Sequence, residues 1–196
     1  MNNMRFLKKI RLWWKFEGKY FFKDFKKGVK NLINWFPIIW KDRDYSTEFI
    51  YLILKKKLEL QSKGIKSRDI HVNSSRDSEK METCVRLIEK LVDDFYSAEY
   101  TDYHKSDYWF EDIDDKPGFY SWNSEIKSEN FGDYFKKYPL IYKRVLSGEG
   151  IFNLNQDGSK EEFKMGVAMN IGYINHERAK KILFSIIRDN IDGWWD

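Results

Sequence analysis

The chain has 196 residues, of which 18% are aromatic and 34% are charged, and its formal net charge is +4. This composition excludes a disordered polyelectrolyte and a membrane protein, and the length suffices for one domain with a buried core. No stretch approaches the roughly 20 apolar residues of a membrane-spanning helix, so we expect no transmembrane segment. The single cysteine, Cys84, excludes an intramolecular disulfide and favours a reducing compartment.

The charge is distributed unevenly along the chain. Residues 1–70 hold 18 Lys/Arg against 7 Asp/Glu, a net charge of +11, whereas residues 71–196 hold 17 against 24, a net charge of −7. Two interpretations are open. The basic and acidic surfaces neutralise each other within the monomer or between subunits, or part of the basic surface faces an anionic ligand.

The first 18 residues are predicted to be a basic, aromatic N-terminal arm, followed by a single helical domain at residues 19–196. Cations and aromatic rings alternate in the arm: Arg5, Lys8, Lys9, Arg11 and Lys15 stand among Phe6, Trp13, Trp14 and Phe16. This composition suits nucleic acid, where cations meet phosphates and rings stack on bases, and it suits an acidic membrane surface. It also suits an arm that packs its rings on the body of the protein or on a partner subunit.

The first helix is predicted over Lys19–Trp35, with one buried face. Its apolar residues recur at three- and four-residue steps: Phe21, Phe22, Phe25, Val29, Leu32, Ile33 and Phe36. Pro37 ends or kinks this helix. The segment Trp35–Tyr45, with two indoles and four charges, is interpreted as a joint to a second helix capped by Asp44 or Ser46.

The second and third helices carry clear apolar stripes. The second presents Phe49, Ile50, Ile53, Leu54 and Leu58 before Lys63–Gly64 stops it. The third is capped by Asp77 or Ser78, runs to about Ala98, and repeats every 3.6 residues through Met81, Cys84, Val85, Ile88, Leu91, Val92 and Phe95.

Residues 99–128 are acidic and aromatic, lack periodicity, and are predicted to be a long loop or a small irregular subregion. The next segment, Phe131–Leu146, is predicted to be a helix with Pro139 at a boundary or kink and with Ser147–Gly148 as its stop.

Residues 151–165 form either a short hairpin around Asp157–Gly158 or a loop. A last helix is predicted from an Asn175 cap to Gly193. The sum is a mainly α protein, with about five helices in a compact domain and an acidic aromatic loop region.

No motif for catalysis or for metal binding emerges from the residues. The three histidines lie in separate segments without ligand spacing, and Cys84 occupies an apolar helix position, where a thiol packs as a small hydrophobe. Phosphate-binding loops, dinucleotide fingerprints and nucleophile elbows are absent. The acids that would serve a magnesium-dependent phosphodiesterase are Asp112, Asp114 and Asp115, or Asp42 and Asp44. We predict no catalytic residue, no metal site and no cofactor.

Three segments share a pattern with a known group of proteins. They are WFPIIWKDRD at residues 35–44, Met81–Ile88, and AMNIGYINHERAKKILF at residues 168–184 followed by Trp194–Asp196. Together they resemble a family of small, largely uncharacterised proteins of tailed bacteriophages and related prophages. The resemblance spans most of residues 28–196 and leaves the N-terminal arm out. It implies a protein that acts in the host bacterial cytoplasm and binds host proteins, nucleic acid or the nucleotide signals of host defence.

Our leading hypothesis is therefore a non-enzymatic phage accessory protein, a homo-oligomer, that sequesters an anionic nucleotide-like ligand such as a host defence signal. Such a site needs aromatic walls for the base and cations for the phosphates. The candidates are Trp35, Trp40 and Arg43 in the pocket, with Lys41 or Arg86 as phosphate partners. Two alternatives stay open: a protein-interaction or assembly protein without a small-molecule ligand, and nucleic-acid binding through the basic N-terminal region.

Overall fold

The computed structural model describes residues 8–9, 11–43, 46–68, 73–113, 118–154 and 159–194. The chain divides into two compact units, Met1–Ile53 and Leu54–Asp196. In these described ranges the protein is mainly helical, with more helices than the five predicted and with one antiparallel β-hairpin. The predicted boundary between an arm and a domain after residue 18 stays a prediction.

The first unit is dominated by α1, Lys19–Ile39, which follows a short π-helix at Trp14–Gly18. The predicted end at Trp35 is wrong, because Pro37 lies inside the last turn and the helix continues past it. Pro37 has no amide to donate to the carbonyl of Ile33, but the amide of Trp40 still donates to the carbonyl of Phe36 at 2.8 Å.

The predicted burial of the apolar stripe of α1 is also wrong. The periodicity is realised as a helix, yet the stripe is exposed along its length, with Leu32 at 71% exposure. A 3.6-residue period shows which side chains share a face, and it does not show what covers that face.

Helix α2, Glu48–Arg68, spans the boundary between the two units. The predicted stop at Lys63–Gly64 is wrong, since the helix passes through Gly64; a glycine inside a helix costs only about 1 kcal/mol relative to alanine. Of its two predicted caps, Asp44 lies outside the described residues. The amide of Ser46 donates to the carbonyl of Arg43 at 2.8 Å, in the turn that precedes α2.

Helix α3, Ser74–Val92, begins after Asn73, so the predicted caps Asp77 and Ser78 lie inside the helix. Ser78 is buried and its hydroxyl lies 2.8 Å from that of Ser62 on α2, which explains a serine at an interior position. The predicted continuation to Ala98 is interrupted. Asp94 adopts a left-handed conformation with φ 50°, and a separate turn of helix, α4, covers Phe95–Ala98.

The stretch predicted to be irregular contains a 3₁₀ turn at Glu99–Tyr103 and a β-hairpin. Its strands are β1, His104–Asp112, and β2, Tyr120–Glu129. They pair antiparallel from His104 opposite Glu129 to Asp112 opposite Tyr120, with a register shift between Lys105 and Ser106. Most side chains on both faces of this ribbon are exposed, so neither face forms a buried side of the sheet.

The helical prediction for Phe131–Leu146 is confirmed, with Pro139 at the boundary. Helix α5 covers Phe131–Lys137 and α6 covers Pro139–Leu146. Gly148 follows with φ 99°, a left-handed conformation that favours glycine and supports the predicted stop.

The interpretation of residues 151–165 as a hairpin is wrong, and its Asp157–Gly158 turn lies outside the described residues. Helix α7 covers Lys160–Asn190 and begins with a capping box, in which the hydroxyl of Ser159 accepts from the amide of Glu162 at 3.1 Å. Asn175, the predicted cap, is therefore a buried residue in the middle of this helix. The helix ends at Asn190, before a 3₁₀ turn at Asp192–Trp194 that contains Gly193.

The core of the second unit is organised along α7. This helix contacts α3, α4, α5, α6 and the two 3₁₀ turns. One cluster joins its buried residues to those of α5 and α6: Phe131, Tyr134, Ile141, Val145, Val167, Ala168 and Ile171. The third helix contributes the predicted apolar positions, of which Met81, Cys84, Ile88 and Leu91 are buried.

Asn170 on α7 is fully buried and holds the preceding loop with its amide group. The side-chain oxygen accepts from the backbone amides of Ile151 and Phe152 at 2.9 and 3.0 Å. The side-chain nitrogen donates to the carbonyls of Phe152 and Gly166 at 2.9 and 3.1 Å. All the hydrogen-bonding groups of this buried amide are thereby used.

We predict that Asn170→Ala lowers the free energy of unfolding by about 2–3 kcal/mol, because it removes a fully buried amide and takes the hydrogen-bond partner from the backbone of Ile151 and Phe152. Urea unfolding measures the change. Asn153→Ala is the matched control, since Asn153 is exposed and no hydrogen bond of its side chain is described. Equal stability of the two variants would contradict the role given to Asn170.

A second prediction concerns the stability of the protein at low pH. The Lys164 ammonium and the amide of Phe131, which donates at 2.8 Å, hold the pKa of Glu129 below its usual range. Stability from a carboxylate with a lowered pKa is present above its unfolded pKa and is lost as the pH falls through the folded value. We therefore expect Glu129→Gln to be less stable at pH 7 by about 1 kcal/mol and to lose less stability than the wild type between pH 6 and pH 3. Urea titrations at both pH values measure this, with Glu161→Gln, an exposed carboxylate, as the control.

Candidate functional site

The predicted ligand site lies at the joint after α1, where the chain turns toward α2. A cavity of about 250 Å³ opens there within the first unit. Its lining consists of Ile38, Lys41, Asp42, Arg43, Ser46, Glu48, Phe49 and Leu52. Two predicted site residues, Lys41 and Arg43, are thus brought together at one cavity.

The charges around this cavity are mixed. Asp42 and Glu48 line it beside the two cations, and the Arg43 guanidinium donates to the backbone carbonyl of Asp42 at 3.0 Å. The volume is also below the roughly 300–1,000 Å³ that small-molecule pockets usually have. The cavity therefore presents both signs of charge to a ligand, unlike a phosphate clamp made of cations.

The other predicted site residues lie elsewhere. Neither Trp35 nor Trp40 lines the cavity; Trp35 is half-buried, and Trp40 is 73% exposed with its ring 5.3 Å from that of Phe36. Arg86 belongs to α3 in the second unit, where its guanidinium donates to the hydroxyl of Thr83 at 2.9 Å. The nucleotide site stays a prediction.

The largest exposed apolar surface of the first unit is the stripe of α1, which we call the apolar face of α1. It consists of Phe22, Phe25, Val29, Leu32, Ile33 and Phe36, all exposed. The opposite side and the border of the helix carry Lys23, Lys26, Lys27 and Lys30, also exposed. No ion pair of these lysines with a carboxylate is found among the described residues.

A second exposed surface lies on the hairpin. Directly opposite residues share a face, so Tyr108, Phe110, Tyr120 and Trp122 lie together, and we call this the aromatic face of the hairpin. The rings of Tyr108 and Trp122 stack at 5.5 Å. All four side chains are more than half exposed.

The other face of the hairpin is acidic. Asp107, Glu111 and Glu125 share it with Trp109, whose indole donates to Glu111 at 2.8 Å. Lys127 pairs with Glu125 at 2.6 Å and lies 3.7 Å from Asp107. Sequence analysis missed the hairpin, although the spacing of two residues within Tyr108/Phe110 and within Tyr120/Trp122, around Pro117–Gly118, is a signal for paired strands.

A larger cavity, about 640 Å³, lies in the second unit between β2 and the start of α7. Met165 and Met169 contribute apolar surface, and Glu125, Glu161 and Glu162 contribute carboxylates. Among the described residues that line it there is no Lys or Arg, so they offer no cationic side chain to the phosphates of a nucleotide.

The described residues hold no group of three or more His, Cys, Asp or Glu side chains that could bind a metal ion. The candidate magnesium ligands Asp44, Asp114 and Asp115 lie outside that part of the chain. Burial raises the pKa of the Cys84 thiol to about 11, which keeps it protonated and unreactive. No helix in the described ranges is long and apolar enough to cross a membrane.

Comparisons of the chain with protein-family models, with curated proteins and with solved structures find no match.

The predicted nucleotide site has a direct test. If Lys41 and Arg43 bind phosphates, a cyclic or ADP-ribose-derived nucleotide at 100 times its Kd stabilises the protein by about 2.7 kcal/mol, and Arg43→Gln removes most of this gain. Thermal-shift and calorimetric titrations of a nucleotide panel measure it. Lys27→Gln, which removes a cation from α1 away from the cavity, is the control. A panel that leaves the melting temperature unchanged would contradict the site.

Proposed function

We propose that this chain is a protein-interaction protein that assembles through the apolar face of α1. The observation that supports the proposal is the exposure of a continuous apolar stripe along a 21-residue helix. Soluble proteins seldom leave a large contiguous apolar patch in water unless it binds something.

The energetic reason is the number of large side chains involved. Full burial of one Leu, Ile or Phe side chain stabilises a complex by about 1.5–3 kcal/mol relative to exposure. The exposed fraction is 66–71% for Phe22, Leu32 and Ile33. A partner that buries these side chains therefore gains several contributions of this size. This gain offsets the loss of translational and rotational freedom on association.

The composition of the face favours a protein partner. Aromatic residues are enriched at protein interfaces and in their energetically dominant positions, and the face of α1 is rich in phenylalanine. A basic amphipathic helix also suits an anionic membrane. However, residues 71–196 carry a net charge of −7, which such a membrane would repel.

Nucleotide sequestration is the second candidate function, because the cavity at Lys41 and Arg43 is small and carries mixed charges. The resemblance to tailed-phage proteins is compatible with either function, because small phage proteins act on host proteins and on host nucleotides alike. Assembly through α1 requires neither a cofactor nor a catalytic group.

A neighbouring pair of substitutions tests the proposal. Leu32 and Asn31 are both exposed on α1, but Asn31 lies about 100° around the helix from Leu32, outside the apolar face. We expect the wild type to self-associate and Leu32→Asp to weaken this by tenfold or more, about 1.4 kcal/mol, because it places a charge in the interface. Asn31→Asp should have little effect. Sedimentation velocity over a concentration series measures the association.

A wild type that is monomeric at every concentration, or equal effects of the two variants, would contradict assembly through this face. Co-sedimentation with vesicles distinguishes the membrane alternative. Binding of a monomeric wild type to anionic vesicles, lost in Leu32→Asp, would replace the proposal with membrane binding.

A further inference from the structure

The hairpin is an incomplete element of the second unit. A two-stranded sheet is marginally stable in water unless one face packs against something. Yet the aromatic face of the hairpin is exposed, with Phe110 and Trp122 at 71% and 64% exposure. The face carries four rings beside Asp112 and Ser124, and nine backbone-paired positions hold it in shape, so it is a preformed docking surface.

Charge identifies the kind of partner that this surface fits. The hairpin and its turn, residues 104–129, contain seven Asp/Glu and three Lys, a net charge of −4. A partner with a basic border and an apolar centre is therefore attracted. Helix α1 is such a partner, because residues 19–39 contain five Lys and one Asp, a net charge of +4.

The dimensions of the two elements also correspond. A helix of 21 residues is about 30 Å long, and strands of nine and ten residues span about 30 Å. The two strands lie about 5 Å apart, whereas a helix with its side chains is about 10 Å wide. Lysines bordering the apolar face of α1, such as Lys26 and Lys30, would thus project past the edge of the ribbon, within reach of carboxylates on its acidic face.

We propose that α1 of one copy docks with its apolar face on the aromatic face of the hairpin of a second copy. This inference rests on the proposed function and names its acceptor surface. The two surfaces in contact are different, and a two-fold axis that exchanges the helices of two copies forms both contacts at once and closes a dimer.

The inference requires variants that disable one surface at a time. Leu32→Asp disables the helix and leaves the hairpin intact. Phe110→Ser with Trp122→Ser disables the hairpin and leaves the helix intact. Trp109→Ser is the matched control, because Trp109 neighbours Phe110 in sequence and lies on the acidic face. All these side chains are exposed or partly exposed, and circular dichroism with thermal unfolding checks that each variant folds.

Mixing the variants is the decisive experiment. We expect the helix variant and the hairpin variant each to be monomeric at a concentration where the wild type is dimeric, and Trp109→Ser to dimerise like the wild type. An equimolar mixture of the two disabled variants should restore a heterodimer, because one intact helix and one intact hairpin remain. Sedimentation velocity with one variant fluorescently labelled measures its formation, and higher salt should weaken it.

The outcomes separate this inference from the proposed function. If Leu32→Asp dissociates the wild-type assembly while the hairpin variant stays dimeric, assembly through α1 holds and the hairpin is not its acceptor. The same conclusion follows if both variants are monomeric and their mixture forms no heterodimer, since a symmetric contact between two α1 helices gives that result. A wild type that is monomeric throughout overturns both.

Discussion

Burial of one long helix is the constraint on which the second unit depends. Helix α7 runs for 31 residues and contacts most of the other elements of that unit, so the free energy of packing its buried face is shared by all of them. A capping box starts it, and the buried Asn170 amide ties the incoming loop to it through three hydrogen bonds to the backbone of Ile151 and Phe152. Without these polar contacts the loop would leave backbone groups unpaired against the core.

Two other elements leave large apolar side chains exposed. Helix α1 and the β-hairpin each expose a continuous apolar surface, and each carries one sign of the uneven charge of the chain. Large apolar side chains are costly in water, and opposite charges on complementary shapes favour association. The proposed contact between α1 of one copy and the hairpin of another would explain both the exposed apolar side chains and the opposite charges.

The predicted nucleotide site shows how proximity in sequence differs from convergence in space. Trp35, Trp40, Lys41 and Arg43 lie within nine positions, yet only the two cations line a common cavity, and two carboxylates line it with them. Side chains on successive positions of a helix end point in different directions, so a dense stretch of functional residue types is no guarantee of a pocket.

Local patterns by themselves determined the helical class, the apolar positions of α3, and the boundary at Pro139, because period, proline and left-handed glycine act within a few residues. The first half of α7 was not predicted, because the local turn preference of Asp157–Gly158 favoured a hairpin or a loop there. The packing that stabilises the helix comes from segments distant in sequence. The hairpin was not predicted because both its faces are exposed. A strand is easiest to recognise in a sequence when its apolar residues line one buried face. Only the tertiary structure decided that the stripe of α1 is exposed, since burial depends on which elements meet in space, and no periodicity along one helix contains that information.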